Sequence, residues 1–152
     1  MTSNLAGAAV LVLAAAGFAA AETADESGGT PVEFVTVEEL KAKVAAGGPV
    51  TIIDVRAAAL YAAADEKIKG AMRIKLRRLR SRLGVPPLRD VPREREVVTY
   101  CACPADDAGI RAARLLQQAG FKRVRVLKGG WEAWLAAGGP IEQTSRTSDP
   151  AS

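Results

Sequence analysis

Short apolar runs alternate along this chain with longer stretches that carry apolar side chains at helical spacing. Three runs rich in β-branched residues predict buried strands, at 50–53, 97–100 and 124–127. Thr36 and Glu39 have capping-box spacing ahead of the first predicted helix, which the pair Gly47-Gly48 ends. Four further helices are predicted, at 57–64, around Leu76, Leu79 and Leu83, at 110–119 and at 131–137.

This alternation predicts an α/β fold, in which helices cover both faces of a parallel sheet. In such sheets the active site lies at the carboxyl ends of the strands. Asp54, Cys101 and Lys128 each come at the end of one of the three predicted strands. We therefore expect the chemistry of this protein at that edge of the sheet.

Both ends of the chain differ from this globular pattern. Residues 1–21 are an apolar segment ending in three alanines, which resembles a signal peptide or an N-terminal anchor. Residues 22–31 are expected to be a polar linker, 32–143 the folded domain and 144–152 a disordered tail. We expect an exported or periplasmic protein, in contact with a membrane only if the first segment stays uncleaved. A mis-assigned start codon would instead leave the protein in the cytoplasm.

The composition excludes several kinds of chemistry. Of the 152 residues none is histidine and only two are cysteine. A His-ligated metal, a Cys-His or Ser-His catalytic pair and an imidazole proton shuttle are therefore excluded. Two cysteines with no acidic cluster beside them do not make a zinc site, so we expect neither a metal nor a cofactor.

The middle of the chain is strongly basic. Between residues 67 and 95 there are 11 Lys or Arg residues against two acidic ones, a local net charge of +9. Such a surface can steer an anionic donor or an acidic partner, and it can equally be the solvated face of the helix around Leu79. The region lacks interleaved aromatic residues and any nucleic-acid-binding motif, so we expect no nucleic-acid partner.

Residues 97–104 read as a buried strand that ends on Cys101 and turns at once toward a helix. Backbone N–H groups in such a turn, with a helix N-terminus behind them, stabilise a thiolate or an anionic ligand. Cys101 is therefore a candidate nucleophile. The alternative, from its position alone, is an ordinary small buried residue at a strand end.

Four segments follow one another along the chain: Asp54-Val55-Arg56, Ile68-Lys69-Gly70-Ala71, the cysteine loop, and Lys128-Gly129-Gly130-Trp131. In this order and spacing they resemble the rhodanese-like (sulfurtransferase) domain family. The resemblance extends from about Val35 to Ile141. It implies the rhodanese-like version of the α/β fold, a parallel sheet of about five strands with helices on both faces.

The resemblance also implies a sulfurtransferase in which Cys101 is catalytic. Its thiolate would take sulfur from a small donor as a persulfide, and a thiol, cyanide or a protein acceptor would then remove that sulfur. Asp54 and Arg56 match the family's paired charges below the loop and are expected to be mainly structural, with Arg56 toward the substrate mouth. The active-site loop would comprise the residues that follow the nucleophile: Ala102, Cys103, Pro104, Ala105, Asp106 and Asp107.

The loop departs from the family's common pattern at its acidic residues. Asp106 stands where many active loops carry arginine or another polar residue, and Asp107 stands where a phosphatase on this fold needs an arginine. Phosphatase chemistry therefore ranks last, and a binding or regulatory module without turnover is the main alternative to sulfur transfer. We expect at least one of the two carboxylates to cap the next helix from an exposed position. Cys103 is either a resolving thiol or a loop residue that fills a gap.

Overall fold

The computed structural model describes residues 30–144, so the segment 1–29 and the tail 145–152 lie outside the described residues. Within them the strands are β1 (Glu33–Val35), β2 (Val50–Asp54), β3 (Glu66–Ile68), β4 (Met72–Arg73), β5 (Glu96–Tyr100), β6 (Arg123–Leu127) and β7 (Ile141–Gln143). The helices are α1 (Val37–Ala45), α2 (Ala58–Ala64), α3 (Leu79–Arg82), α4 (Asp107–Gln118) and α5 (Gly130–Ala136). None of these helices is both long and apolar enough to cross a membrane.

Five strands form one parallel sheet in the order β1-β6-β5-β2-β4. The central strand is β5, whose Val98 lies opposite Ile52 of β2 and Arg125 of β6. All five residues of β5 are buried, which is why this segment reads as a continuous apolar run rather than an alternating one. The predicted parallel sheet of about five strands is confirmed.

Helices cover both faces of this sheet, as predicted. On one face α3 and α4 pack over a cluster that contains Val97 and Leu116. On the other face Leu40 of α1 and Trp134 of α5 pack with Val98. Because Val97 and Val98 are neighbours on β5, the two clusters meet at the central strand, and its carboxyl end lies between both helical layers.

The predicted start of α1 is also confirmed. Thr36 is the N-cap residue, and its side-chain oxygen accepts a hydrogen bond from the backbone N–H of Glu39 at 3.1 Å. Gly47 follows the helix with a φ of +63°, a conformation that glycine adopts without strain.

Two parts of the fold differ from the sequence expectation. The leucine-rich segment is a 3-10 turn at Leu76–Arg78 followed by the four-residue α3, not one helix. Gly84 and the prolines at 86 and 87 follow it closely, and proline cannot continue a helix. The second difference is a small antiparallel sheet in which β3 pairs with β7, with Ile68 opposite Ile141.

Candidate active site

Cys101 lies at the carboxyl edge of the parallel sheet, directly after the central strand β5. Only 2% of the residue is exposed. Its carbonyl oxygen accepts a hydrogen bond from the backbone N–H of Trp131, 2.8 Å away in the first turn of α5. The loop that begins at Cys101 is therefore fixed on one side by the next strand–helix connection.

The connection between β6 and α5 needs its two glycines. Gly129 and Gly130 have φ values of +75° and +53°, in the left-handed region that favours glycine. A Cβ atom at Gly130 would lie 2.2 Å from the carbonyl oxygen of Cys101. The glycines thus allow the start of α5 to pack directly against the cysteine loop.

The Sγ atoms of Cys101 and Cys103 are joined in a disulfide, and the two Cα atoms are 5.7 Å apart. These are the only two cysteines of the chain, so neither carries a thiolate in this state. Cys103 lies where a resolving thiol has to lie, within bonding distance of Cys101. Nucleophilic chemistry at Cys101 therefore requires the reduced form.

The rest of the loop is unevenly buried. Ala102 and Cys103 are half-buried, and Pro104 and Ala105 are exposed. Asp106 is buried, with 8% of the residue exposed. Its Oδ2 accepts a hydrogen bond from the backbone N–H of Gly129 at 3.0 Å, while its Oδ1 is buried with no partner among the described residues.

Asp106 does not fill the capping role that is expected of at least one of the two carboxylates. The residue occupies the N-cap position of α4, but its side chain makes no capping hydrogen bond. Capping residues normally have extended backbone, whereas Asp106 has a left-handed φ of 55°, and its carboxylate binds Gly129 instead. Asp107 is exposed in the first turn of α4, where the helix dipole favours a negative charge.

Asp54 and Arg56 form a buried ion pair at the same edge of the sheet. The Nη2 of Arg56 lies 2.6 Å from Oδ2 of Asp54, and neither side chain is exposed. Nη2 also donates to the carbonyl oxygen of Glu66 at 2.7 Å, and the guanidinium lies over the ring of Trp131, 4.3 Å from its centroid. Arg56 thus ties the end of β2 to α5 from a buried position, rather than presenting its charge at the loop surface.

Tyr100 and Arg73 complete this cluster, and the sequence analysis missed both. Tyr100 donates its phenolic O–H to Oδ2 of Asp54 at 2.7 Å and accepts a hydrogen bond from the N–H of Ile68 at 3.3 Å. Burial and the Asp54 carboxylate raise the pKa of Tyr100 well above its ordinary value, so its phenol stays neutral. Arg73 donates to the backbone carbonyl of Asp54 at 3.1 Å. Two features of the sequence could have indicated them: Tyr100 ends an aliphatic strand, and Arg73 lies within a short apolar segment.

Lys128 follows β6 as expected but belongs to a neighbouring surface. It is exposed, and its side chain lines a depression shared with Thr36 and Glu38 at the start of α1. Between residues 30 and 144, no group of three His, Cys, Asp or Glu side chains could hold a metal ion. At this edge of the sheet, the groups that can react are the two neighbouring cysteines, and the buried Asp54–Arg56 ion pair lies at the same edge.

Comparison with known proteins decides the family. The family model described as "Rhodanese-like domain" matches residues 36–137, more than half of the chain. This chain belongs to the rhodanese-like domain family. The matched range of this rhodanese-like domain contains the Asp54–Arg56 pair, the whole cysteine loop and the Gly129-Gly130 turn.

Solved structures share the fold. The rhodanese-like domain of the Alr3790 protein from Anabaena sp. is 32% identical, with a TM-score of 0.61 over 80% of this chain and 87% of that one. RPA3614 from Rhodopseudomonas palustris, described as a protein of unknown function and a possible tyrosine phosphatase, is 28% identical, with a TM-score of 0.61 over 73% and 85%.

A more distant likeness is to a thiosulfate sulfurtransferase from Pseudomonas aeruginosa. It is 23% identical, with a TM-score of 0.60 over 74% of this chain and 20% of that one, and it shows the fold alone. None of the curated proteins matches this chain in sequence.

Proposed function

We propose that this rhodanese-like domain is a sulfurtransferase that carries sulfane sulfur on Cys101. The observation that supports this most is the position of Cys101, after the central strand and ahead of the twelve-residue helix α4. A helix N-terminus stabilises a nearby negative charge by about 0.3–1 kcal/mol, which favours the thiolate. Family membership supports the same chemistry.

The proposed reaction begins with reduction of the Cys101–Cys103 disulfide. A dithiol reductant supplies two electrons and two protons and becomes a disulfide itself. The Cys101 thiolate then attacks the outer sulfur of thiosulfate. A new S–S bond forms as the S–S bond of the donor breaks, and sulfite leaves with the electron pair.

In the second half of the reaction the persulfide gives up its outer sulfur. Cyanide or a thiolate attacks that sulfur, and the product is thiocyanate or a new persulfide, while the Cys101 thiolate is regenerated. None of these steps requires a histidine, which the chain lacks. The proposed partners are a small sulfane-sulfur donor and a thiol or cyanide acceptor, or a cysteine of a protein acceptor.

The proposed location is outside the cytoplasm, on the strength of the apolar residues 1–21. Disulfides persist in such compartments, so reduction of the Cys101–Cys103 pair would precede each period of activity there.

One observation favours a second candidate, a binding module without turnover. The carboxylate of Asp106 is buried at the turn that contacts Cys101. A negative charge in that position opposes both a thiolate and an anionic donor.

Intact-mass measurement distinguishes the two candidates. Protein that has been reduced and freed of reductant is exposed to thiosulfate or to an organic persulfide, as wild type, Cys101→Ser and Cys103→Ser. We expect wild type and Cys103→Ser to gain the mass of one sulfur atom, and Cys101→Ser to gain none. A gain in Cys101→Ser without one in Cys103→Ser would contradict the nucleophile assignment. No gain in folded Cys103→Ser with either donor would favour the binding module, because this variant lacks the thiol that could convert a Cys101 persulfide back into the Cys101–Cys103 disulfide.

A further inference from the structure

A cavity of about 730 Å³ lies beside the cysteine loop, between the segment after β2, the turn before α3 and one side of α4. Its volume is within the range of roughly 300–1,000 Å³ that is typical of sites for small organic ligands. Cys101 and Cys103 do not line it. The cavity is therefore a feature that the proposed sulfur chemistry does not explain.

The lining of this cavity has an extreme charge. Seven of its fourteen residues are arginine or lysine, and none is aspartate or glutamate. Because Arg56 and Arg73 form ion pairs with the buried Asp54, the positive charge of the lining comes mainly from the other five. Lys75, Arg77 and Arg80 come from the start of α3 and the segment before it, and Arg111 and Arg114 come from α4. A concave surface with charges of one sign focuses the electrostatic potential and attracts a counter-ion.

The innermost cation provides an independent sign of a missing partner. Arg56 lines the cavity, and only 1% of the residue is exposed. Its Nε and Nη2 bind Asp54 and the carbonyl of Glu66, but its Nη1 is buried with no hydrogen-bond partner among the described residues. A buried donor without a partner is unfavourable, and an anionic oxygen in the cavity is the kind of group that satisfies it.

The rest of the lining is mainly aliphatic. Val55, Leu76 and Leu115 contribute apolar surface between the cations. An inorganic ion would leave this surface exposed to water, whereas the carbon-rich part of an organic ligand would cover it.

We propose that this cavity binds an organic polyphosphate, that is, a molecule in which an uncharged organic group carries two or more linked phosphate groups. Six of the seven lining cations are arginine, whose planar guanidinium binds phosphate oxygens in pairs. Linked phosphates carry several negative charges, which match a cluster of this size better than one carboxylate does. The proposal goes beyond sulfur transfer and does not depend on it.

Isothermal titration at low ionic strength tests the proposal, with ATP as the probe and no sulfur donor present. We expect saturable binding of one ATP per chain. Arg80→Gln combined with Arg111→Gln removes two exposed cations of the lining, one from α3 and one from α4, and we expect it to weaken binding at least tenfold. Arg95→Gln combined with Lys122→Gln is the matched control, because it removes the same charge from exposed residues outside the cavity. Its affinity should stay within twofold of wild type.

Three outcomes would overturn the proposal. The first is the absence of saturable ATP binding to the folded wild type. The second is an equal loss in both double variants, which would mean that the general positive field of the protein attracts ATP. The third concerns the ligand. Pyrophosphate binding as tightly as ATP would exclude a role for the organic group, and citrate binding as tightly as ATP would exclude a preference for phosphate. Single Arg111→Gln, with an unchanged melting temperature, checks that any loss is not a loss of fold.

Discussion

Asp106 joins two segments that lie 23 residues apart, because its buried carboxylate binds the backbone N–H of Gly129. The bond fixes the end of the cysteine loop to the start of α5. The same carboxylate is unfavourable for a thiolate at Cys101, since a charge that is shielded from water is poorly screened. Asp106 therefore stabilises the loop structure and, at the same time, disfavours a thiolate at Cys101.

Replacement of Asp106 by asparagine separates these two effects. Asparagine keeps an acceptor oxygen for the Gly129 N–H but removes the charge. We expect Asp106→Asn to raise the rate of persulfide formation with thiosulfate roughly tenfold, because a nearby carboxylate opposes a thiolate by about 1–2 kcal/mol at an effective dielectric constant near 20. The rate is measured as sulfite release in a single turnover.

Asp107→Asn is the matched control for that variant. It removes the same charge from an exposed position, where water and salt screen it, so the rate should change less than about twofold. An equal increase in both variants would show that the burial of Asp106 is not what slows the reaction.

Among the elements of the candidate site, the turn between β6 and α5 makes the closest backbone contact with the cysteine loop. Gly130 lies against the carbonyl oxygen of Cys101. The backbone N–H of Trp131, in the first turn of α5, donates a hydrogen bond to the same oxygen. A side chain at position 130 would separate α5 from the cysteine loop. The left-handed backbone and the lack of space both require glycine there.

Two glycine variants separate these requirements. Gly138 also has a positive φ, of +61°, but a Cβ atom there would meet nothing within 4 Å. We expect Gly138→Ala to lower the free energy of unfolding by about 1–2 kcal/mol, from backbone strain alone. Gly130→Ala should lower it by a further 1–3 kcal/mol or so, because the contact with Cys101 adds overpacking. Urea titration measures both, and equal losses would mean that the backbone moves to relieve the contact.

The elements that could be predicted from the sequence are those with a strong local pattern. β2, β5 and β6 are apolar because they are buried inside the sheet, so their sequences alone reveal them. β3 and β7 have three residues each, and they pair although they are far apart in the sequence. A local sequence pattern cannot predict such a pairing. The helix expected around Leu79 was shortened by the glycine and prolines that follow it.

The same limit applies to the candidate site. The position of Cys101 at a strand end could be predicted, because strand and turn signals are adjacent in the sequence. The contacts of Asp106 with Gly129 and of Tyr100 with Asp54 could not, since each joins residues that only the folded chain brings together.

Across the whole molecule, the end of the sheet opposite Cys101 is held by a network of charges. Glu96, the first residue of β5, is 5% exposed. Its carboxylate accepts hydrogen bonds from Lys43 of α1 at 2.7 Å and from Nε of Arg125 on β6 at 2.9 Å. Burial alone would raise the pKa of Glu96, but these two cations lower it below the usual 4.5.

This lowered pKa predicts a loss of stability in acid. The contribution of the Glu96 carboxylate is complete above pH 4.5 and disappears as the pH falls through the lower pKa of the folded state. We expect Glu96→Gln to lower the free energy of unfolding by about 1–3 kcal/mol at neutral pH, and the difference from wild type to shrink in acid. Glu94→Gln, at an exposed acid two residues earlier, should have little effect. Denaturant titrations across this pH range test the prediction, and parallel curves for wild type and Glu96→Gln would contradict it.

The direction of β1 shows on which side of the domain the described chain begins, relative to the cysteine loop. β1 runs parallel to β6, so Glu33 begins at the amino edge of the sheet, and Pro31 lies near Gln117, at the end of α4 far from the loop. The described chain, which begins at residue 30, therefore enters the domain on the side away from Cys101. An attachment made at that end, whether to a lipid bilayer or to another protein, would leave the cysteine loop facing away from it, toward the surrounding solution.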